Sequence, residues 1–244
     1  LLNLRTFDIE ELRSFYRDWY RPDLMAVVIV GDVDVQKTEA MIKKHFASME
    51  NPAEPEVRPE YGVPDLETPR IAILTDPEQT DVNLQVFFLR DRVKPETLKE
   101  YREVLVRRLY SGLINTRLDE MVEEGDASFL SASVGMGTFL ADKSSYYTGG
   151  SLKEDQILEG MRDLLLENER AKRFGFSEAE LERYKRIVLN SADLARKEDG
   201  KRNSRYYLEQ YIDHYMDQVP VPGNEFIYNF YQEQLPTITL EEVE

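Results

Sequence analysis

Apolar positions recur at helical spacing from the start of the chain. Ile9, Leu12, Tyr16, Trp19 and Tyr20 share one face, with Thr6 or Asp8 as N-cap and Glu11 able to complete a box with Asp8. Pro22 and Asp23 end this helix, Met25 to Val30 reads as a strand buried on both faces, and Gly31-Asp32 turns the backbone. A second helix carries Val35, Thr38, Met41, Ile42, Phe46 and Met49 along one side. Glu50 to Thr68 then loses periodicity, gathers Pro52, Pro55, Pro59 and Pro64, and reads as a linker between domains.

Beyond it, Arg70 to Leu74 predicts a short strand, and Val82, Leu84, Val86 and Phe88 alternate as a half-buried one, so two antiparallel neighbours are expected. Pro95 fits the first turn of a long helix with Leu98, Tyr101, Leu105, Leu109 and Leu113 on its inner face, ended by a turn at Gly125-Asp126. Phe129 to Leu140 and Ser144 to Leu152 predict two strands around a turn at Ala141-Asp142-Lys143. Helices follow from Glu154, from the capping box Ser177-Glu178-Ala179-Glu180, and over roughly Ser204 to Gln218. This order predicts an α+β fold, with helices covering one face of an antiparallel sheet.

Composition narrows the function. With 31 Lys+Arg against 47 Asp+Glu, the net charge of -16 repels phosphate backbones, so nucleic acid is not expected as a partner. Zero cysteines exclude disulfides, thiolate metal sites and a cysteine nucleophile. The longest apolar run, Leu24 to Val30, is far below the ~20 residues that span a bilayer, and Leu1-Leu2-Asn3-Leu4-Arg5 lacks the regions of a signal peptide. No membrane insertion is expected. Thr239-Leu240-Glu241-Glu242 has the pattern of a helix start with almost no chain after it, which suggests a segment of a longer polypeptide.

The stretch Phe15-Tyr16-Arg17-Asp18-Trp19-Tyr20-Arg21-Pro22-Asp23-Leu24-Met25, running into Ala26-Val27-Val28-Ile29-Val30 and Gly31-Asp32-Val33-Asp34, resembles the close of a repeated α/β domain in the pitrilysin/insulinase family of zinc metallopeptidases. A second match is Asn115-Thr116-Arg117-Leu118 followed by Ser128-Phe129-Leu130-Ser131-Ala132, where that family ends its long helix and enters a strand. The resemblance implies a metallopeptidase-like (LuxS/MPP-like) repeat fold. It further implies that residues 1–49 form the helix-strand-helix tail of one domain, 50–68 a linker and 69–244 a second, non-catalytic domain.

Such enzymes cut peptides in a chamber enclosed by two halves, with zinc held by an H-x-x-E-H helix and a distal glutamate. This sequence has only His45 and His214, in no such motif. Where a later family domain places a substrate-binding arginine and tyrosine, it has Met121, Val122 and Phe129, which cannot polarise a carbonyl. The resemblance therefore implies zinc in the longer protein but no cofactor in this segment. It implies the catalytic domain and second half of that protein as partners, a peptide as its substrate, and the periplasm as the preferred compartment.

No residue is assigned as catalytic or metal-binding, and no substrate-binding residue is identified. His45 and His214 read as ordinary helical histidines. Glu123-Glu124 and Glu241-Glu242 read as solvent-facing, and Ser131 and Ser144-Ser145 lack a local histidine base. Gly135, Gly137, Gly149 and Gly150 permit a bulge or close approach by a peptide backbone, the bulge being favoured. Tyr206, Tyr207, Tyr211 and Tyr215 suggest an aromatic ridge packed on the sheet or lining a chamber. The expected function is a scaffolding, chamber-wall segment of a zinc endopeptidase, inactive alone. The alternatives are a segment of a protease-like assembly subunit that has lost zinc, or a peptide-binding module using a strand edge.

Overall fold

A computed structural model describes residues 6–140 and 142–244 of the chain. Leu1-Leu2-Asn3-Leu4-Arg5, on which the signal-peptide argument rests, and Ala141 of the predicted turn lie outside the described residues. In chain order the elements are α1 (Ile9–Trp19), a 3-10 turn (Pro22–Leu24), α2 (Val35–Phe46), β1 (Val82–Asp91), α3 (Leu98–Glu124), β2 (Phe129–Leu140), β3 (Lys143–Leu152), α4 (Ile157–Phe174), α5 (Glu178–Lys197), α6 (Ser204–Asp217), α7 (Gly223–Gln234), a second 3-10 turn (Leu235–Thr237) and α8 (Leu240–Val243).

Two compact units share these elements. One comprises residues up to Glu60 together with Lys201–Val221, and the other Tyr61–Gly200 with Pro222–Glu244. In the first, Asp8 caps α1 by accepting from Glu10 N at 2.9 Å, and Asp34 caps α2 from Lys37 N at 3.0 Å. Each satisfies a backbone N–H that the first helical turn leaves without a partner. The predicted strand Met25–Val30 does not form, and its side chains are half-buried to exposed. An apolar run supplies side chains for a strand but not the ladder partner that defines one, and none pairs with it among the described residues.

The second unit holds an antiparallel sheet of three strands in the order β1-β3-β2. Residues 70–74 are not its fourth strand. They are irregular, with Ile71 87% and Leu74 94% exposed, so β1 stands as one strand before the long helix rather than as the second of a pair. α3 begins at a Thr97–Glu100 capping box, two residues after Pro95, and ends where Gly125 takes φ +82°. α5 begins at the Ser177–Glu180 box. α7 was not predicted from sequence.

Leu105, Leu109, Leu113, Ile114 and Leu118 of α3 form the spine of the core, joined by Leu164 of α4, Leu181 and Val188 of α5, and Phe129, Val134 and Leu152 of the sheet. α3 lies on β2, α4 on β3, and α5 packs between α3 and α7. Helices thus line one face of an antiparallel sheet, the α+β arrangement expected. α6 belongs to the first unit and is not part of that helix layer.

Candidate functional site

The helix-to-strand passage Asn115-Thr116-Arg117-Leu118 is a structural junction in which each side chain has a separate task. Asn115 donates from Nδ2 to Val134 O at 3.0 Å and accepts at Oδ1 from Val134 N at 2.7 Å, fastening α3 to β2. Thr116 bonds back to Gly112 O, and Leu118 is fully buried. Arg117 meets Glu180 at 2.7 Å, Glu167 at 3.3 Å and Gly175 O at 3.0 Å, with its guanidinium 4.6 Å from the Phe176 ring centroid. The Arg117 guanidinium, aided by Ser177, holds the Glu180 carboxyl down to about 2.

The sheet presents two chemically different faces. Toward the helices, successive rows are Leu84–Gly150–Ala132, Val86–Thr148–Val134 and Phe88–Tyr146–Met136. The opposite face carries Asn83, Gln85 and Phe87 on β1, Ser131, Ser133, Gly135 and Gly137 on β2, and Tyr147, Gly149 and Ser151 on β3. These residues are small or neutral, apart from an aromatic group; beyond them the same face carries Leu89 and the buried Ser145 and ends in the Asp91–Lys143 ion pair. Phe87 lies 5.2 Å from Phe139 and 6.4 Å from Tyr147 between centroids, with Phe87 42% and Phe139 41% exposed. Tyr147 can lie over β2 because residue 135 is glycine, where a Cβ would come 2.6 Å from its ring.

The other candidate glycines differ among themselves. A Cβ at Gly149 would meet Leu84 O at 2.4 Å and one at Gly150 would meet Ser131 O at 2.0 Å, so the neighbouring strands already occupy that space. Gly137 opens onto free space. The breaks in register fall between Phe129 and Ser131 and between Thr138 and Leu140, away from the glycines, so the expected glycine bulge is replaced by bulges at Leu130 and Phe139.

The helix-side face ends in a cleft of ≈410 Å³ between α3 and the last row of the sheet, Arg90–Ser144–Thr138. Arg107, Arg108 and Ser111 of α3 form its opposite wall. Tyr184 closes one side by lying against Gly112, where an added Cβ would fall 1.8 Å from the ring. Periodicity in the sequence gives no sign of this cleft, because Arg90, Arg107 and Ser144 are brought together only by strand register and helix placement.

The remaining sequence candidates are dispersed. His45 is exposed in the last turn of α2, and His214 Nδ1 lies 2.8 Å from Val219 O. Among the described residues, no three His, Cys, Asp or Glu side chains converge as a metal site. One engaged and one solitary histidine do not make a zinc ligand set. Glu123 and Glu124 are exposed, whereas Glu242 caps α8 and pairs with Arg102 at 2.6 Å. Ser145 is buried on the face opposite the helices, and Ser144 lines the cleft. Tyr206 and Tyr207 meet edge to face, while Tyr211 and Tyr215 are exposed. Met121 packs on the core, Val122 is exposed, and Phe129 is 1% exposed.

Comparison with known proteins supplies the family. The profile of the Peptidase M16 inactive domain matches residues 6–188. The chain belongs to this family. A zinc protease PQQL-like protein of Arabidopsis thaliana is 24% identical over 241 residues, covering 98% of the chain and 22% of that protein. The probable zinc protease PqqL of Escherichia coli is 23% identical over 234 residues, covering 95% and 25%. The chain therefore spans about a quarter of the length of these M16 relatives.

Among solved structures, the first half of the periplasmic protease PqqL from Escherichia coli superposes with a TM-score of 0.85 at 21% identity, over 99% of the chain and 52% of that structure. Pitrilysin superposes with a TM-score of 0.57 at 17% identity, over 96% and 25%. The fold is thus that of M16 protease halves. No helix among the described residues is long and apolar enough to cross a membrane.

Proposed function

We propose that this M16 inactive-domain chain is a scaffolding segment that walls the peptide chamber of a zinc-dependent endopeptidase and hydrolyses nothing alone. The observation that carries the reading is the sheet face opposite the helices. Uncharged side chains surround a half-exposed aromatic group there, with charge confined to the Asp91–Lys143 pair at one end of the face, and such a surface accommodates an extended peptide with little regard to its sequence. Phe129 supports it from the other side, since a core phenylalanine offers a substrate no hydroxyl.

In this reading residues 1–49 close the preceding domain, 50–68 link, and 69–244 form the non-catalytic domain. The partners are the catalytic domain and second half of the longer protein. The likeness to a first half of PqqL supports a place just after the catalytic domain, and the periplasmic location of that protease supports the same compartment.

The test uses the chain and the full-length protein that contains it, each with added zinc and an unfolded peptide. The chain alone should leave the peptide intact. In the full-length protein, Phe87→Ala with Tyr147→Ala should raise KM several-fold with kcat little changed, as expected for lost ground-state contacts. Hydrolysis by the chain alone, or an unchanged KM, would overturn the proposal. A zinc-loaded full-length protein without peptidase activity would instead assign the assembly role.

A further inference from the structure

The cleft between α3 and the Arg90–Ser144–Thr138 row carries chemistry that the chamber-wall reading does not use. In a chain of net charge -16, three arginines line it and no carboxylate does. Arg108 is engaged by Tyr231, which takes its hydrogen bond at 3.3 Å and also lies under the guanidinium. Arg107 reaches Glu103 only at 3.9 Å, and both burial and the nearby Arg90 press its pKa downward. Ser111 Oγ is buried in the wall with no hydrogen-bond partner among the described residues, so a donor is left over where the positive charge gathers.

The geometry points to a carboxylate-binding cleft that takes the C-terminal carboxylate or an acidic side chain of a peptide between Arg90 and Arg107, with the Ser111 hydroxyl as a further donor once it turns out of the wall. Guanidinium forks suit a planar carboxylate, and an incoming anion relieves the repulsion between two like charges held close. Val104 and Met136 supply apolar wall for the stem that carries the anion. A space of ≈410 Å³ holds one or two residues rather than a folded partner. The overall charge of the chain repels polyanions, which favours a ligand that carries a single anionic group. Binding in this cleft needs neither hydrolysis nor the chamber wall.

The test is a calorimetric titration of the chain with three forms of one short neutral peptide: a free C-terminus, an amidated C-terminus, and an amidated form with one internal glutamate. Binding of the first form alone identifies the terminus as the ligand, and binding of the third identifies the side chain. In either case Arg90→Gln with Arg107→Gln should weaken binding at least tenfold, while Arg173→Gln, which pairs with Glu169 on the surface, should not. Thr138→Glu, which supplies an internal carboxylate at the exposed rim, should abolish binding and raise Tm; it decides the matter if the arginine variant fails to fold. Equal binding of the amidated neutral peptide, no binding of any form, or unchanged affinity in the Arg90/Arg107 double variant or in Thr138→Glu would overturn the inference.

Discussion

Asn115 holds Val134 by both of its backbone polar groups, one through the amide nitrogen and one through the amide oxygen. The side chain thereby imitates a strand neighbour at the point where the long helix meets the edge strand of the sheet. Val134 is itself buried, so neither group has water to fall back on.

Asn115→Leu should therefore cost about 2–4 kcal/mol, the sum of two orphaned groups at ~1–3 kcal/mol each less the apolar burial gained. Asn115→Asp keeps the acceptor and loses the donor, and should fall between. Urea unfolding of the three proteins measures the order.

The Arg117 junction predicts an acid-sensitive stability. Glu180 titrates at about 2 in the fold against an ordinary 4.5, because Arg117 and Ser177 bond its charged form. A depressed folded pKa gives stability that is present above the unfolded value and lost as pH falls from about 4.5 toward 2. The urea midpoint of the wild-type chain should fall across that window more steeply than that of Glu180→Gln. Arg117→Ala should cost about 1–3 kcal/mol at pH 7, since it unpairs Glu180 and leaves the 5% exposed Glu167 carboxylate with only the solvent-exposed Arg170 guanidinium at 3.6 Å.

Gly112→Ala should destabilise by about 1–3 kcal/mol despite the better helix propensity of alanine, because the new methyl would enter the Tyr184 ring. Adding Tyr184→Leu should recover part of the loss. A double-mutant cycle on thermal unfolding gives the coupling.

Phe129→Tyr restores a hydroxyl at the position where the resemblance places the substrate-binding tyrosine. It should confer no peptidase activity and should destabilise by about 1–3 kcal/mol, because the oxygen would be buried in the core. Peptide hydrolysis and Tm on the same preparation check both outcomes.

Sequence legibility followed how local each determinant was. The Ser177–Glu180 box, the Gly125 stop and the spine Leu105, Leu109 and Leu113 of α3 act within a few residues and stand where the sequence places them, whereas Leu98, expected on the same inner face, is 62% exposed at the first turn of the helix. Met25–Val30 and Arg70–Leu74 have strand composition but no ladder partner among the described residues, and partnership is a long-range property. α7 begins at Pro222-Gly223 with no side-chain cap, so its start carries none of the usual signals. The cleft was illegible for the same reason as the unformed strands: Arg90 and Arg107 are neighbours in space only after β1 has found β3.

Lys143 gives the sheet a mechanical asymmetry. Its ammonium lies 2.6 Å from both Asp91 at the end of β1 and Asp65 in the incoming chain, while Asp142 beside it accepts from Val63 N at 2.9 Å. The segment 61–65 is thereby fastened to one end of the β1–β3 pair by side chains alone, so neutralising Lys143 would loosen it without touching a ladder bond.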